Sequence, residues 1–174
     1  MYRRFIWLLL LLAVFLLLNG CRYLPGNGKT PQPSSSPPDP PPVPSSPLIT
    51  LSFSESASYF KRVQGYEFRS EDGKHTAYFY MANEDEPYPI PVDQAWVDTL
   101  TGFIRQYDMM AWDGFRGSDS MLLDGTQFSI SFTFANGTAV HASGYGRFPA
   151  DYGDASAAIE AHFLQLLPED MRTW

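Results

Sequence analysis

One thiol, three imidazoles and one tight run of acids are the residues whose types suit chemistry in this 174-residue sequence. His75, His141 and His162 match no zinc-ligand spacing, and without a second cysteine a structural zinc site lacks its usual donors. Asn83-Glu84-Asp85-Glu86 offers the oxygens calcium takes but lacks the alternation and glycine of a calcium loop. A solvated acidic turn is the plainer reading. Ser143-Gly144-Tyr145-Gly146 has no Gly-x-Ser-x-Gly nucleophile elbow. His141 or His162 could act as a base only if folding set a serine or a carboxylate pair beside it. The densest texture is Trp112-Asp113-Gly114-Phe115 together with Gly144-Tyr145-Gly146-Arg147-Phe148-Pro149 and Asp151-Tyr152-Gly153. Loop aromatics with an arginine suit a sugar or a peptide side chain. Trp112, Tyr145, Arg147 and Tyr152 are therefore the candidate ligand-binding residues, and the competing reading is that these rings cap the core. No catalytic set, metal or cofactor is expected.

The thiol is Cys21, alone in the chain. Arg3 and Arg4 precede an unbroken apolar run of fourteen residues, Phe5 to Leu18. Such a run covers about 21 Å as a helix, short of the roughly 30 Å hydrocarbon core, and suits a secretory signal peptide. Basic residues ahead of it match the orientation that exports the downstream chain. Leu18-Asn19-Gly20-Cys21 resembles a lipobox, the cleavage motif of bacterial lipoproteins. The resemblance implies a signal peptide over 1–20, cleavage before Cys21, and a diacylglycerol thioether on its sulfur. With palmitate-like chains added, it implies a lipid-anchored protein on the extracytoplasmic face of the cell membrane. Two acyl chains hold firmly where one binds reversibly. A lone cysteine cannot form an internal disulfide, so its placement agrees with an attachment point.

From Arg22 to Pro47 the chain turns to Pro, Ser and Gly, peaking in Pro37-Pro38-Asp39-Pro40-Pro41-Pro42. Proline denies such a segment helix and sheet hydrogen bonds, so 21–47 reads as the lipidated cysteine and a semi-rigid linker. At about 3.1 Å per residue in polyproline II, Pro25 to Pro47 spans at most about 70 Å.

Residues 48–174 form one domain of ordinary size. Ile49, Leu51 and Phe53 alternate with polar residues, as a half-buried strand does. Tyr66–Arg69 and His75–Met81 flank Asp72-Gly73, a two-residue hairpin signal that pairs Phe68 with Ala77 and Tyr66 with Phe79. Phe128, Ile130, Phe132 and Phe134 alternate with Gln127, Ser129, Ser131 and Thr133. A three-residue loop with Gly137 left-handed pairs Phe132 with Val140 and Ile130 with Ala142; a two-residue turn would put Val140 on the polar face. Asp93 caps a helix carrying Trp96, Leu100, Phe103, Ile104 and Tyr107. A second helix starts near Asp154, carries Ile159, Phe163, Leu166 and Leu167, and stops at Pro168. These elements predict an α+β fold: an antiparallel sheet of about five strands, two hairpins plus an N-terminal strand, with two helices on one face.

The domain holds 18 Asp and Glu against 8 Lys and Arg, a balance of −10. Phosphate backbones need a basic surface, which sets nucleic acid aside as a partner. The pattern Trp112-Asp113-Gly114-Phe115, Asp124-Gly125, Phe128 to Phe134, Gly137, Ala142, Gly144, Phe148-Pro149 and Tyr152 resembles domains of bacterial surface lipoproteins. That resemblance concerns fold and brings no activity with it. The expectation for function is a membrane-tethered, non-enzymatic binding module for a cell-envelope or extracellular protein or glycan. The rivals are a cell-envelope hydrolase and a calcium-dependent adhesion domain using Glu84, Asp85 and Glu86.

Overall fold

The computed structural model describes residues 41–56, 63–122 and 124–172. Cys21, the apolar run before it and the linker as far as residue 40 lie outside them. The class is α+β. Among the described residues β1 (Leu48–Ser56), β2 (Val63–Glu71), β3 (Lys74–Met81), β4 (Tyr88–Val92), β5 (Arg116–Ser118), β6 (Gln127–Phe134) and β7 (Ala139–Tyr145) form one sheet. Its order is β4-β3-β2-β1-β6-β7-β5. Helices α1 (Gln94–Gln106), α2 (Tyr152–Leu164) and α3 (Glu169–Arg172) and a 3-10 turn at Met109–Trp112 complete the domain.

Both hairpins keep the register set by their turns. Phe68 faces Ala77 and Tyr66 faces Phe79, with Asp72 and Gly73 at φ 50° and 73°. Phe132 faces Val140 and Ile130 faces Ala142, with Gly137 at φ 85°. The sheet has seven strands rather than about five, and it is mixed. β4 pairs antiparallel with β3 through a segment containing Pro89 and Pro91, and β5 runs parallel to β7. Proline cannot donate to a ladder, which confines such a strand to an edge. A bulge between Leu48 and Thr50 puts Leu48 in the core and leaves Ile49 half-buried.

One face of the sheet carries the core. Leu51, Phe53, Tyr66, Phe68, Ala77, Phe79, Phe128, Ile130, Phe132, Val140 and Ala142 are buried there. α1 meets this face through Trp96 against Phe68, and α2 through Phe163 against Tyr66 and Phe79. The Asp93 carboxylate accepts the Trp96 N–H at 2.9 Å and starts α1 where its cap was expected. α1 buries Val97, Leu100 and Ile104, while Trp96, Phe103 and Tyr107 are half-buried. α2 begins at Tyr152, two residues ahead of the expected start, after Asp151 turns left-handed at φ 56°. Val43 packs on the core and the Pro47 carbonyl accepts the Ala135 N–H at 2.8 Å, so the end of the proline-rich stretch is tied to the domain.

Candidate functional site

The four loop residues singled out by sequence do not share one surface. Trp112 and Tyr152 are core residues, 3% and 7% exposed, with ring centroids 6.1 Å apart. Phe128 and Phe148 pack on Tyr152, and its hydroxyl donates to Glu55 Oε2 at 2.7 Å. Tyr145 belongs to the opposite side of the sheet, since it alternates with buried Gly144 on β7. Its hydroxyl accepts the Gly125 N–H at 2.9 Å, and its ring lies over Gly125, pinning the loop before β6. Arg147 is exposed, and its carbonyl crosses so close to Gly144 that a Cβ there would lie 2.2 Å from it. Burial of apolar rings where the chain turns explains this separation, since two of the three rings go to the core.

The histidines separate as well. His162 is 8% exposed, stacked on Trp96 and set edge-on to Phe103. Burial pushes its imidazole below the ordinary value, against a hydrogen bond to the Trp96 carbonyl that raises it. His75 lies between these extremes, 6.1 Å from Phe68. His141 is exposed on the far side of the sheet, and its backbone N–H donates to Asp113 Oδ1 at 3.1 Å. Glu84, Asp85 and Glu86 are exposed in the turn before β4. Among the described residues, no group of three or more His, Cys, Asp or Glu side chains is placed to hold a metal ion.

A second cluster joins α2 to the sheet. Tyr66 donates to Glu160 Oε1 at 3.1 Å, close to the Tyr152–Glu55 pair. Burial first, then these carboxylates, raise both phenols far above their usual range. Two neutral phenols donating to two carboxylates form a latch between β1, β2 and α2. Such a pairing fits a structural role, because phenols this resistant to ionisation stay donors.

On the sheet's other face the outward positions among the described residues are exposed or half-buried. At its centre β1 and β6 set three facing pairs of hydroxyl side chains, Thr50 with Thr133, Ser52 with Ser131 and Ser54 with Ser129. Thr50, Ser52, Ser54 and Ser129 are exposed, and Ser131 and Thr133 half-buried. Taller side chains stand on both flanks. On β2 and β3, Arg69 grips Glu67 through two hydrogen bonds, Nε to Oε1 at 2.6 Å and Nη2 to Oε2 at 3.0 Å. The Arg69 guanidinium lies 5.0 Å from the Tyr78 ring centroid, and the Tyr80 hydroxyl donates to Glu67. Burial pushes the Glu67 carboxyl up, but the hydrogen bonds from Arg69 and Tyr80 and the Arg69 charge outweigh it and hold it below its usual value. Bonding to Glu67 raises the Tyr80 phenol, with burial adding to it. On the other flank stand His141 and Tyr145 of β7 and Arg116 of β5. A depression of about 240 Å³ lies there among Arg116, Ser118, Gln127 and Tyr145, and on the β2–β3 side one of about 260 Å³ lies among Arg69, Glu71, Asp72, Lys74, Thr76 and Tyr78.

Charge sets this face apart. Its strand positions carry Arg69, Lys74 and Arg116 against Glu67 and Glu71, a balance of +1, whereas residues 48–174 together balance at −10. Alternation alone assigns the polar half of each strand to solvent and goes no further. The available signal is that seven of the eight outward residues on β1 and β6 are Ser or Thr, with none acidic. Compared with known proteins, the chain matches no family model and no curated protein at a significant level.

Proposed function

We propose that this chain is a bacterial lipoprotein, anchored by a lipid on Cys21 at the extracytoplasmic face of a membrane, whose domain is a non-enzymatic binding module. Its binding surface is the open face of the sheet. The observation that carries the reading is the contrast on that face: a hydroxyl floor flanked by Tyr78, Tyr80, Arg69 and Tyr145, near neutral in a strongly acidic domain. Aromatic and hydroxyl groups on a rigid sheet lose little freedom on binding. The anchor rests on the apolar run ending at Leu18-Asn19-Gly20-Cys21, and the proline-rich linker supplies reach from the membrane. Among the described residues, no helix is long and apolar enough to cross a membrane.

The anchor is tested by the intact mass of the mature protein from a bacterial host. The expected N-terminal residue is Cys21 bearing a diacylglyceryl thioether, and a Cys21→Ser protein that is still lipidated would sink the reading. The binding face is tested by a photo-crosslinking residue at Ser52 or Ser129 on intact cells, compared with one at exposed Asp98 on α1. Adducts specific to the sheet positions are expected. Equal labelling from Asp98 overturns the choice of surface.

A further inference from the structure

Resting on the reading that the open face is the binding surface, we infer that its occupant is an uncharged glycan chain lying along β1 and β6. The floor is two strands wide, bounded by β2 and β7 about 14 Å apart at the usual strand spacing. Thr50 to Ser54 gives it a length of about 14 Å at 3.4 Å per residue. Hydroxyl side chains both donate and accept, so a floor of them pairs with a polymer whose own groups do the same. An apolar occupant would strip these hydroxyls of water without replacing the hydrogen bonds.

Charge narrows the choice further. Glu67 is occupied by Arg69 and Tyr80, and Arg116 Nη1 is turned to the carbonyls of Phe115 and His141. A polyanion would gain little from a face whose balance is only +1 and would meet the field of a domain at −10. A polycation would be drawn instead to the acidic loops, such as Glu84-Asp85-Glu86. The Tyr80 ring, 40% exposed and lying beside Gly65 where β2 pairs with Ser54, offers an apolar plane to the C–H faces of sugars. The sheet edges are poorly suited to adding a peptide strand, since β4 carries Pro89 and Pro91 and β5 is only three residues long.

The test is calorimetric titration of the full-length protein in a zwitterionic detergent without sugar headgroups. The probes are linear chitin and cellulose oligosaccharides of graded length, with heparin fragments for comparison. The uncharged oligosaccharides are expected to bind, with affinity rising with length and levelling once the chain exceeds the floor. Ser52→Arg and Ser129→Arg raise tall side chains from the floor at exposed positions and should weaken binding at least about tenfold with unchanged melting. Tyr80→Ala, which removes the ring beside Gly65 without filling the floor, should weaken it as well. Failure of both series to bind, equal binding to the floor variants, or tighter binding of heparin overturns the glycan. If crosslinking at Ser52 on cells still succeeds and captures protein, the open-face reading stands while the glycan assignment falls.

Discussion

The His162 imidazole stacks on the Trp96 indole with ring centroids 4.4 Å apart and planes 17° from parallel, while its Nε2 lies 3.0 Å from the Trp96 carbonyl. A carbonyl only accepts, so Nε2 carries the proton and the neutral ring has a fixed tautomer. Because burial lowers its folded pKa, the unfolded chain takes up a proton first on acidification. The stabilisation is complete above the unfolded value near 6.5 and is lost as the pH falls through 6.5 towards the lower folded value. Denaturant midpoints measured from pH 7.5 to pH 5.5 should fall for the native protein. In His162→Gln the slope across that interval should flatten; an unchanged slope would show that another group sets it.

Phe163 is the point where three elements meet. It is fully buried and packs on Tyr66 and Phe79 of the sheet and on Trp96 of α1, with centroids 5.2, 5.9 and 5.0 Å away. Phe163→Ala should cost about 3–5 kcal/mol by equilibrium unfolding, through lost burial and the cavity left behind. Met121→Ala, at a position 87% exposed, should stay within about 0.5 kcal/mol. A loss below about 1 kcal/mol for Phe163→Ala would contradict the packing of α2 on the sheet.

Where turn chemistry and alternation agreed, the sequence was legible. Asp72-Gly73 and Gly137 set registers that placed Phe68, Tyr66, Phe132 and Ile130 correctly on one face. β4 was hidden by Pro89 and Pro91, which read as loop in a linear pattern yet suit an edge, and β5 is too short to show any period. Trp112 and Tyr152 misled because an aromatic beside a glycine looks alike whether it caps a core or faces a ligand. The hydroxyl floor was invisible for a different reason. Serines on β1 and β6 are far apart in sequence, and only the pairing of those strands brings Ser52 to Ser131 and Ser54 to Ser129.

Two glycines should respond in opposite directions to the same methyl group. At Gly144 a Cβ would lie 2.2 Å from the Arg147 carbonyl oxygen and 2.7 Å from Phe128 Cε1, and backbone cannot give way cheaply. At Gly102, inside α1, nothing lies within 4 Å. Gly102→Ala should therefore stabilise by about 0.5–1 kcal/mol through helix propensity, while Gly144→Ala should destabilise by about 1–3 kcal/mol as overpacked sites do. Melting temperatures that move the same way in both variants would contradict the close crossing at residue 147.

Glu67 links both sides of one hairpin, gripped by Arg69 on its own strand and by Tyr80 across the pair. Its folded pKa is lowered, so its contribution is present above the unfolded value of 4.5 and is lost as the pH falls below it through the folded value. The Arg69 side chain is 42% exposed but that of Glu67 only 16%, so removing Arg69 leaves a partly buried carboxylate with one donor fewer and should cost about 1 kcal/mol. The informative quantity is coupling. In a double-mutant cycle of Glu67→Gln and Tyr80→Phe, groups sharing one network should depart from additivity by about 0.5 kcal/mol or more at pH 7. At an acid pH below the lowered folded value, protonation of Glu67 weakens both contacts, and the coupling should shrink. A cycle that is additive at both pH values would show that Tyr80 and Glu67 do not act together on the open face.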